Sequence, residues 1–233
     1  MVSLITSIYH SEKYLQKYLK RVKDFSLNLK RENTDFEIIA IANDPSEFEK
    51  KLLRAFLSEN KYFRYYEITR ESLYATWNRG VGLAEGDIIG FWNVDDERFS
   101  RAILRGVKAI EDGKDLVYFP FIYKRFVKIL SLSILVKRVL ITPSLFSREK
   151  FKKEMQIGPF FIFRKEFFYK VGPFDDSFKI AGDYEWQARA AQHSDFYLSK
   201  EIAGVFTNDG SGLSGRKDEL QQEENSIIIK RNN

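Results

Sequence analysis

The segment "DIIGFWNVDDERF", Asp87 to Phe99, carries an apolar run straight into two adjacent aspartates. Asp87 to Trp92 reads as a buried strand, a short apolar run bounded by polar residues. Asp95 and Asp96 stand where that strand ends. Two neighbouring carboxylates repel, so a turn, a helix start or a cation has to offset their proximity. The residues on either side decide which fold holds them.

Working back towards the N-terminus, "VSLITSI" (Val2 to Ile8) and "FEIIAIA" (Phe36 to Ala42) are β-rich runs, and "FRYYEI" (Phe63 to Ile68) is a third. Helical patterns separate them: Ser11 to Leu29 with Ser11 at the N-cap, Glu47 to Asn60, and Ser72 to Gly86. Alternation of strand and helix implies an α/β fold, a mostly parallel sheet flanked by helices on both faces. Ligands of such sheets bind beyond the carboxyl ends of the strands. Those ends are "SIYH", "ANDPS" and "NVDDE", all carrying polar or acidic groups.

Towards the C-terminus, "RAILRGVKAIEDG" reads as a helix and "DLVYFPFIY" (Asp115 to Tyr123) as one strand. Lys124 to Lys153 holds nine Lys/Arg against Glu149 alone. It reads as a solvated helix pair or as an amphipathic segment at an anionic membrane surface. "AGDYEWQARAAQHSD" is a helix with Asp183 and Glu185 in its first turn. Two residues apart, they diverge by roughly 200° and cannot form one dyad. One can face a cleft while Glu185 pairs with Arg189. Short strands "FYLS" and "AGVFT", a glycine-rich loop "NDGSGLSG" (Asn208 to Gly215) and a polar helix or tail over 216–233 complete the chain.

Composition removes several classes of function. Without cysteine there is no disulfide, thiolate metal site or cysteine nucleophile. His10 and His193 are the only histidines, so a metal has to be held by oxygen ligands, which favours Mg²⁺ or Mn²⁺ over structural zinc. A formal net charge of +5 offset by 33 acidic residues is not the footprint of a nucleic-acid binder. The N-terminus lacks a secretory pattern and no apolar run is long enough to span a bilayer, so the expected location is cytoplasmic, with a peripheral contact at the inner membrane face as the variant.

In order, "VSLITSIYHSEKYLQKYL", "FEIIAIANDPS", "ATWNRGVGLAEGDIIGFWNVDDER", "IGPFFIFRKEFFYKVGPFDDSFKIAGDYEWQAR" and "NDGSGLS" resemble family 2 glycosyltransferases of the GT-A fold, over about residues 2 to 215. The resemblance implies a transferase that moves a sugar from a UDP-, GDP- or dTDP-sugar to an acceptor hydroxyl with inversion. Residues 1–99 would be the nucleotide-sugar half and 100–215 the acceptor half, serving a saccharide or lipid-linked acceptor. It implies that Thr6 and Tyr9 border base and ribose, that Asp44 binds the base, and that Asn78 and Arg79 serve the donor. Asp95 and Asp96 would meet the sugar-phosphate and a divalent cation, Mn²⁺ or Mg²⁺, with Asp96 the main ligand and Asn208 a candidate third. Asp183 would be the general base. The sequence departs from the family pattern at Asn93, where an acid is usual, at Trp77, where many relatives have arginine, and at Asn208–Asp209, where a histidine is frequent. Two other readings compete. A nucleotidyltransferase would carry a glycine-rich basic loop after the first strand, where "SIYHSEKY" has none. A non-catalytic membrane-peripheral protein would centre on Lys124 to Lys153.

Overall fold

A computed structural model describes residues 1–129, 132–210 and 218–232. Four parallel strands, β1 (Val2–Ile8), β2 (Phe36–Asn43), β3 (Phe63–Ile68) and β4 (Ile88–Phe91), alternate with helices α1 (Glu12–Arg31), α2 (Glu47–Glu59) and α3 (Leu73–Leu83). β1, β2 and β4 are all but continuously buried because helices cover both faces, whereas β3, at the sheet edge, is mostly half-buried. Ile5, Ile39 and Ile41 face one apolar layer, with Trp77, Phe91 and Trp186. Leu4, Ile38 and Ala40 alternate into the other, with Tyr18, Phe25 and Trp92. Local chemistry sets the helix starts. Ser46 and Glu49 form a reciprocal capping box on α2, and Ser72 caps α3 through the Ala75 N–H. Ser11 sits at the start of α1 without capping it; its hydroxyl donates to the Tyr9 carbonyl instead.

Beyond β4 come β5 (Glu97–Arg98), α4 (Ser100–Glu111), β6 (Leu116–Tyr118), β7 (Phe121–Ile129), β8 (Leu132–Ile141), α5 (Arg148–Phe151), β9 (Phe161–Arg164), α6 (Lys165–Val171), α7 (Gly182–Ala190), β10 (Tyr197–Leu198), β11 (Gly204–Asn208) and α8 (Asp218–Asn232). The main sheet runs β10-β6-β9-β4-β1-β2-β3, with β9 antiparallel to both neighbours. A second sheet runs β5-β11-β7-β8.

Two expectations are corrected. The single strand over Asp115 to Tyr123 breaks at Phe119–Pro120, so β6 joins the first sheet and β7 the second. Proline lacks the N–H that an uninterrupted ladder would need. The basic stretch Lys124 to Lys153 holds a β-hairpin, β7 with β8, rather than a helix pair; among its described residues only α5 is helical. Its β-branched residues at Val127, Ile129, Ile134, Val136 and Val139 favour the extended state. The C-terminal segment is helical as expected, over Asp218–Asn232 in α8. On α8, Ile228 is fully buried in the core and Arg231 pairs with Asp175. Of the glycine-rich loop only Asn208 to Gly210 lies within the described residues, and the expected helix start at Arg216 lies outside them.

Candidate active site

The turn after β4 is locked from three sides. The Asp96 N–H donates to the Asn93 carbonyl at 3.1 Å, and the Trp92 indole donates to the Asp96 carbonyl at 3.3 Å. From α1, Arg21 donates to the carbonyls of Asp96 and Asp95 at 2.9 and 3.3 Å. The two adjacent carboxylates then part company. Asp96 is only 3% exposed; its Oδ1 accepts the Thr207 N–H of β11 at 2.9 Å and its Oδ2 accepts the Asn93 amide at 3.2 Å. Burial, followed by the charge of Asp95, pushes its pKa well above the usual range. Asp95 is part-exposed and is raised to about 6, first by burial and then by the charge of Asp209, with Arg21 and Lys13 opposing.

Asp209 closes this group. It accepts the Tyr14 hydroxyl at 2.5 Å and pairs with Lys13. Asn208, the expected third ligand, turns its Oδ1 to the Gly210 N–H at 3.1 Å, and Asp209 is the loop residue whose charge acts on Asp95. Beneath the acids lies Arg98, 4% exposed, held through Phe91 O and the Phe160 ring. Among the described residues its Nε and Nη1 have no hydrogen-bond partner, and burial lowers its pKa to about 10 against the attraction of Asp96.

At the mouth of β1 and β2, Tyr9 is exposed, with the Arg70 guanidinium 4.4 Å from its ring centroid. Asp44 is exposed and held at φ 44° by the Asn43–Asp44–Pro45 turn. Thr6 does not join them: it is fully buried and its hydroxyl meets that of Tyr18 at 2.6 Å, on the α1 side of the sheet. Asn78 and Arg79 are likewise occupied elsewhere. The Asn78 amide exchanges two hydrogen bonds with the Phe174 backbone, each 2.9 Å. Arg79 is exposed and closes its fork on Glu71 at 2.7 and 2.9 Å. Trp77 stacks on Phe91 with centroids 3.9 Å apart, a core role that an arginine could not fill.

Asp183 sits in the first turn of α7. Its Oδ1 accepts the Tyr184 N–H at 2.9 Å and lies 3.5 Å from the Tyr74 hydroxyl of α3. Burial raises it to about 6; the amide and hydroxyl contacts oppose that rise and the charge of Glu224 adds to it. Glu185 takes the other course open to the pair, a bidentate ion pair with Arg189 at 2.7 and 2.8 Å. Tyr74, Trp77 and Phe91 pack in series, so Asp183 and the Asp95–Asp96 turn both lie at the carboxyl edge of the parallel strands.

The model for glycosyl transferase family 2 matches residues 3–172, most of the chain. The chain belongs to glycosyl transferase family 2. No curated protein matches it. Among solved structures, this family 2 chain is similar to S. aureus TarS 1–349 in complex with UDP-GlcNAc, at 13% identity and TM-score 0.74, covering 99% of this chain and 66% of that one. It is also similar to the mannosyltransferase PcManGT from Pyrobaculum calidifontis in complex with GDP-Man and Mn²⁺, at 12% identity and TM-score 0.61, covering 88% and 56%. Both likenesses are of fold, GT-A, and the chain spans less than two thirds of the length of each.

Sequence reasoning missed Tyr74, Arg70, Glu224 and the α1 residues Tyr14 and Arg21. Tyr14 and Arg21 are seven apart, two helical turns, and that spacing on the helix after β1 was a usable signal. Glu224 offered none, since its targets are backbone amides some 40 residues away.

Proposed function

We propose that this family 2 chain transfers a sugar from a nucleoside diphosphate sugar to an acceptor hydroxyl, with inversion at the anomeric carbon. The observation that carries this reading is the separation of two acid systems along one sheet edge. Asp95, Asp96 and Asp209 sit with Lys13 and Arg21, while Asp183 stands apart beside Tyr74.

On the donor side, Tyr9 and Arg70 offer a stacking face for a base, and Asp44 an acceptor for its N–H groups. The oxygen-only donor set at Asp95 and Asp96 suits a hard divalent cation, Mn²⁺ or Mg²⁺. Asp95, part-exposed, and Asp96, buried, both have raised pKa values and the charge of Asp95 adds to the rise of Asp96, so a cation between them would stabilise their ionised forms. Among the described residues no three His, Asp or Glu side chains converge on a metal position. Two carboxylates are nevertheless what a Mg²⁺-type site needs when substrate phosphates and water complete the shell. Asp95 and Asp96 would hold the ion, with Asp209 beside them. When bound, such an ion supplies Lewis-acid stabilisation of the departing diphosphate. Arg21 and Lys13 add fixed positive charge on that side.

On the acceptor side, Asp183 removes the hydroxyl proton as the acceptor oxygen attacks. A carboxylate with a pKa near 6 is mostly ionised at neutral pH, yet basic enough to take that proton. One in-line displacement between separated acid systems inverts the centre. The acceptor is a saccharide or lipid-linked saccharide, and the protein works in the cytoplasm, with a peripheral membrane contact.

Titration calorimetry with UDP, GDP and dTDP in the presence of Mn²⁺ tests the donor site. Transfer from the matching nucleotide sugar tests the reaction. Absence of nucleotide binding at millimolar concentration would sink the proposal, and pyrophosphate release from a nucleoside triphosphate would replace it with nucleotidyl transfer.

A further inference from the structure

The β7–β8 hairpin takes no part in the chemistry above. Most of its outer half, from Arg125 on β7 and along β8, is exposed. The strand register sorts its residues. Ile129 faces Leu132 and Val127 faces Ile134, so these four share one face at the tip, with exposures of 53, 69, 38 and 43%. Behind the tip, Arg125 faces Lys137 and Lys124 faces Arg138. Those are two consecutive cross-strand pairs of like charge. Lys128 adds a fifth cation, and no Asp or Glu occurs from Lys124 to Ser147. Among the described residues none of the five has a carboxylate partner.

Like charges directly opposite on a ladder destabilise it, and a cluster of exposed aliphatic side chains is unfavourable in water. One environment relieves both: an apolar interior bounded by a layer of phosphates. We propose that the hairpin is a peripheral membrane contact. Val127, Ile129, Leu132 and Ile134 enter the acyl boundary, while Lys124, Arg125, Lys137 and Arg138 meet anionic phospholipid headgroups. The free edge of β8 could instead pair with a second copy. That arrangement would bring one cationic hairpin against another with no acid to offset them. A soluble polyanion would engage the cations and leave the tip exposed. The inference rests on the hairpin alone and stands whether or not the transferase reading holds.

Sedimentation of the full chain with vesicles tests it, using phosphatidylcholine alone or with about one third phosphatidylglycerol. The expected result is partition onto the anionic vesicles, weakened by salt, and little onto the neutral ones. Ile129→Asp with Leu132→Asp should reduce partition at least about tenfold. Lys137→Glu with Arg138→Glu should do the same, and neither pair should change nucleotide binding. A Leu132→Trp reporter, which keeps the tip apolar, should shift its fluorescence to the blue on adding anionic vesicles. Failure to partition, or equal partition of the tip variant, overturns the proposal. So does a dimer seen by light scattering that the tip variant dissolves, which would assign the hairpin to a second copy. Binding to soluble polyphosphate with no preference for anionic vesicles would assign it to a polyanion.

Discussion

The Tyr74 hydroxyl lies 3.5 Å from Asp183 Oδ1, but its proton goes to the Ile180 carbonyl at 2.5 Å. Asp183 therefore receives only a weak share of that donor, and among the described residues its strong hydrogen bond comes from the Tyr184 N–H. A carboxylate so sparsely served, and largely removed from water, holds its proton to a higher pH than usual. The base form is needed for transfer. The rate should fall about tenfold per pH unit below about 6, read from a pH profile at saturating donor. Tyr74→Phe removes a contact that lowers the Asp183 pKa, so its acidic limb should move to higher pH. An unmoved limb would separate Asp183 from the base.

Asp183→Asn should abolish transfer, leave Mn²⁺-dependent nucleotide binding intact, and stabilise the fold. The sign follows from linkage. The folded pKa is raised from 3.8 to about 6, so the folded state binds the proton more tightly than the unfolded one. Stability is therefore lost as pH rises from about 4 to about 6 and stays lost above that. At 1.36 kcal/mol per unit the penalty at pH 7 is roughly 2–3 kcal/mol. Asparagine removes it, and thermal unfolding should rise by roughly 4–12 °C for a chain of this size. The gain should vanish near pH 4.

Glu224 accepts the amides of Lys179, Ile180 and Ala181 at 2.8, 2.9 and 2.8 Å, and so sets the start of α7 from the far end of the chain. Glu224→Ala should cost roughly 2–4 kcal/mol in stability. It should lower kcat for transfer while nucleotide affinity stays unchanged, because the donor acids lie on other elements. Glu224→Gln keeps one acceptor oxygen and should recover part of both losses.

Asp95 and Asp96 should respond differently to substitution. Asp95→Ala removes a part-exposed charge and should weaken Mn²⁺-dependent nucleotide binding with little change in unfolding temperature. Asp96→Ala strands the Thr207 N–H and takes a countercharge from Arg98, so it should lose binding and also about 2 kcal/mol or more of stability. Calorimetry and denaturant titration on both variants check the contrast.

Gly204 packs against the strand that follows the two aspartates. A Cβ there would lie 1.8 Å from the Glu97 carbonyl oxygen, a backbone atom that cannot swing aside. Gly204→Ala should cost about 3 kcal/mol and, by moving β5, should weaken nucleotide binding too. Equal stability of the variant would show that β5 and β11 are free to separate.

Much of this architecture was legible because it is local. Buried runs such as Ile38 to Ala42 and capped helices such as α2 announce themselves in the order of residues, and Asp44, Asp95 and Asp183 follow from the strand and helix ends they occupy. What stayed hidden depends on partners distant in sequence. Nothing around Thr6 says that Tyr18 will claim its hydroxyl, or that Phe174 will occupy Asn78. The basic stretch misled because cations are compatible with helix and strand alike. Its β-branched residues were the better guide, and the pairing of β7 with β11 settled the matter.

That pairing has a geometric consequence. Lys124 is the ladder partner of Thr207, whose N–H holds Asp96, and the tip residue Ile129 is five positions further along the same strand. At about 3.3 Å per residue, the tip stands roughly 17 Å beyond that rung. With the hairpin seated on a bilayer, the strand becomes a spacer that fixes how far the reaction centre stands off the lipid. Acceptors would then be selected by the height at which they present a hydroxyl, before any sugar is recognised.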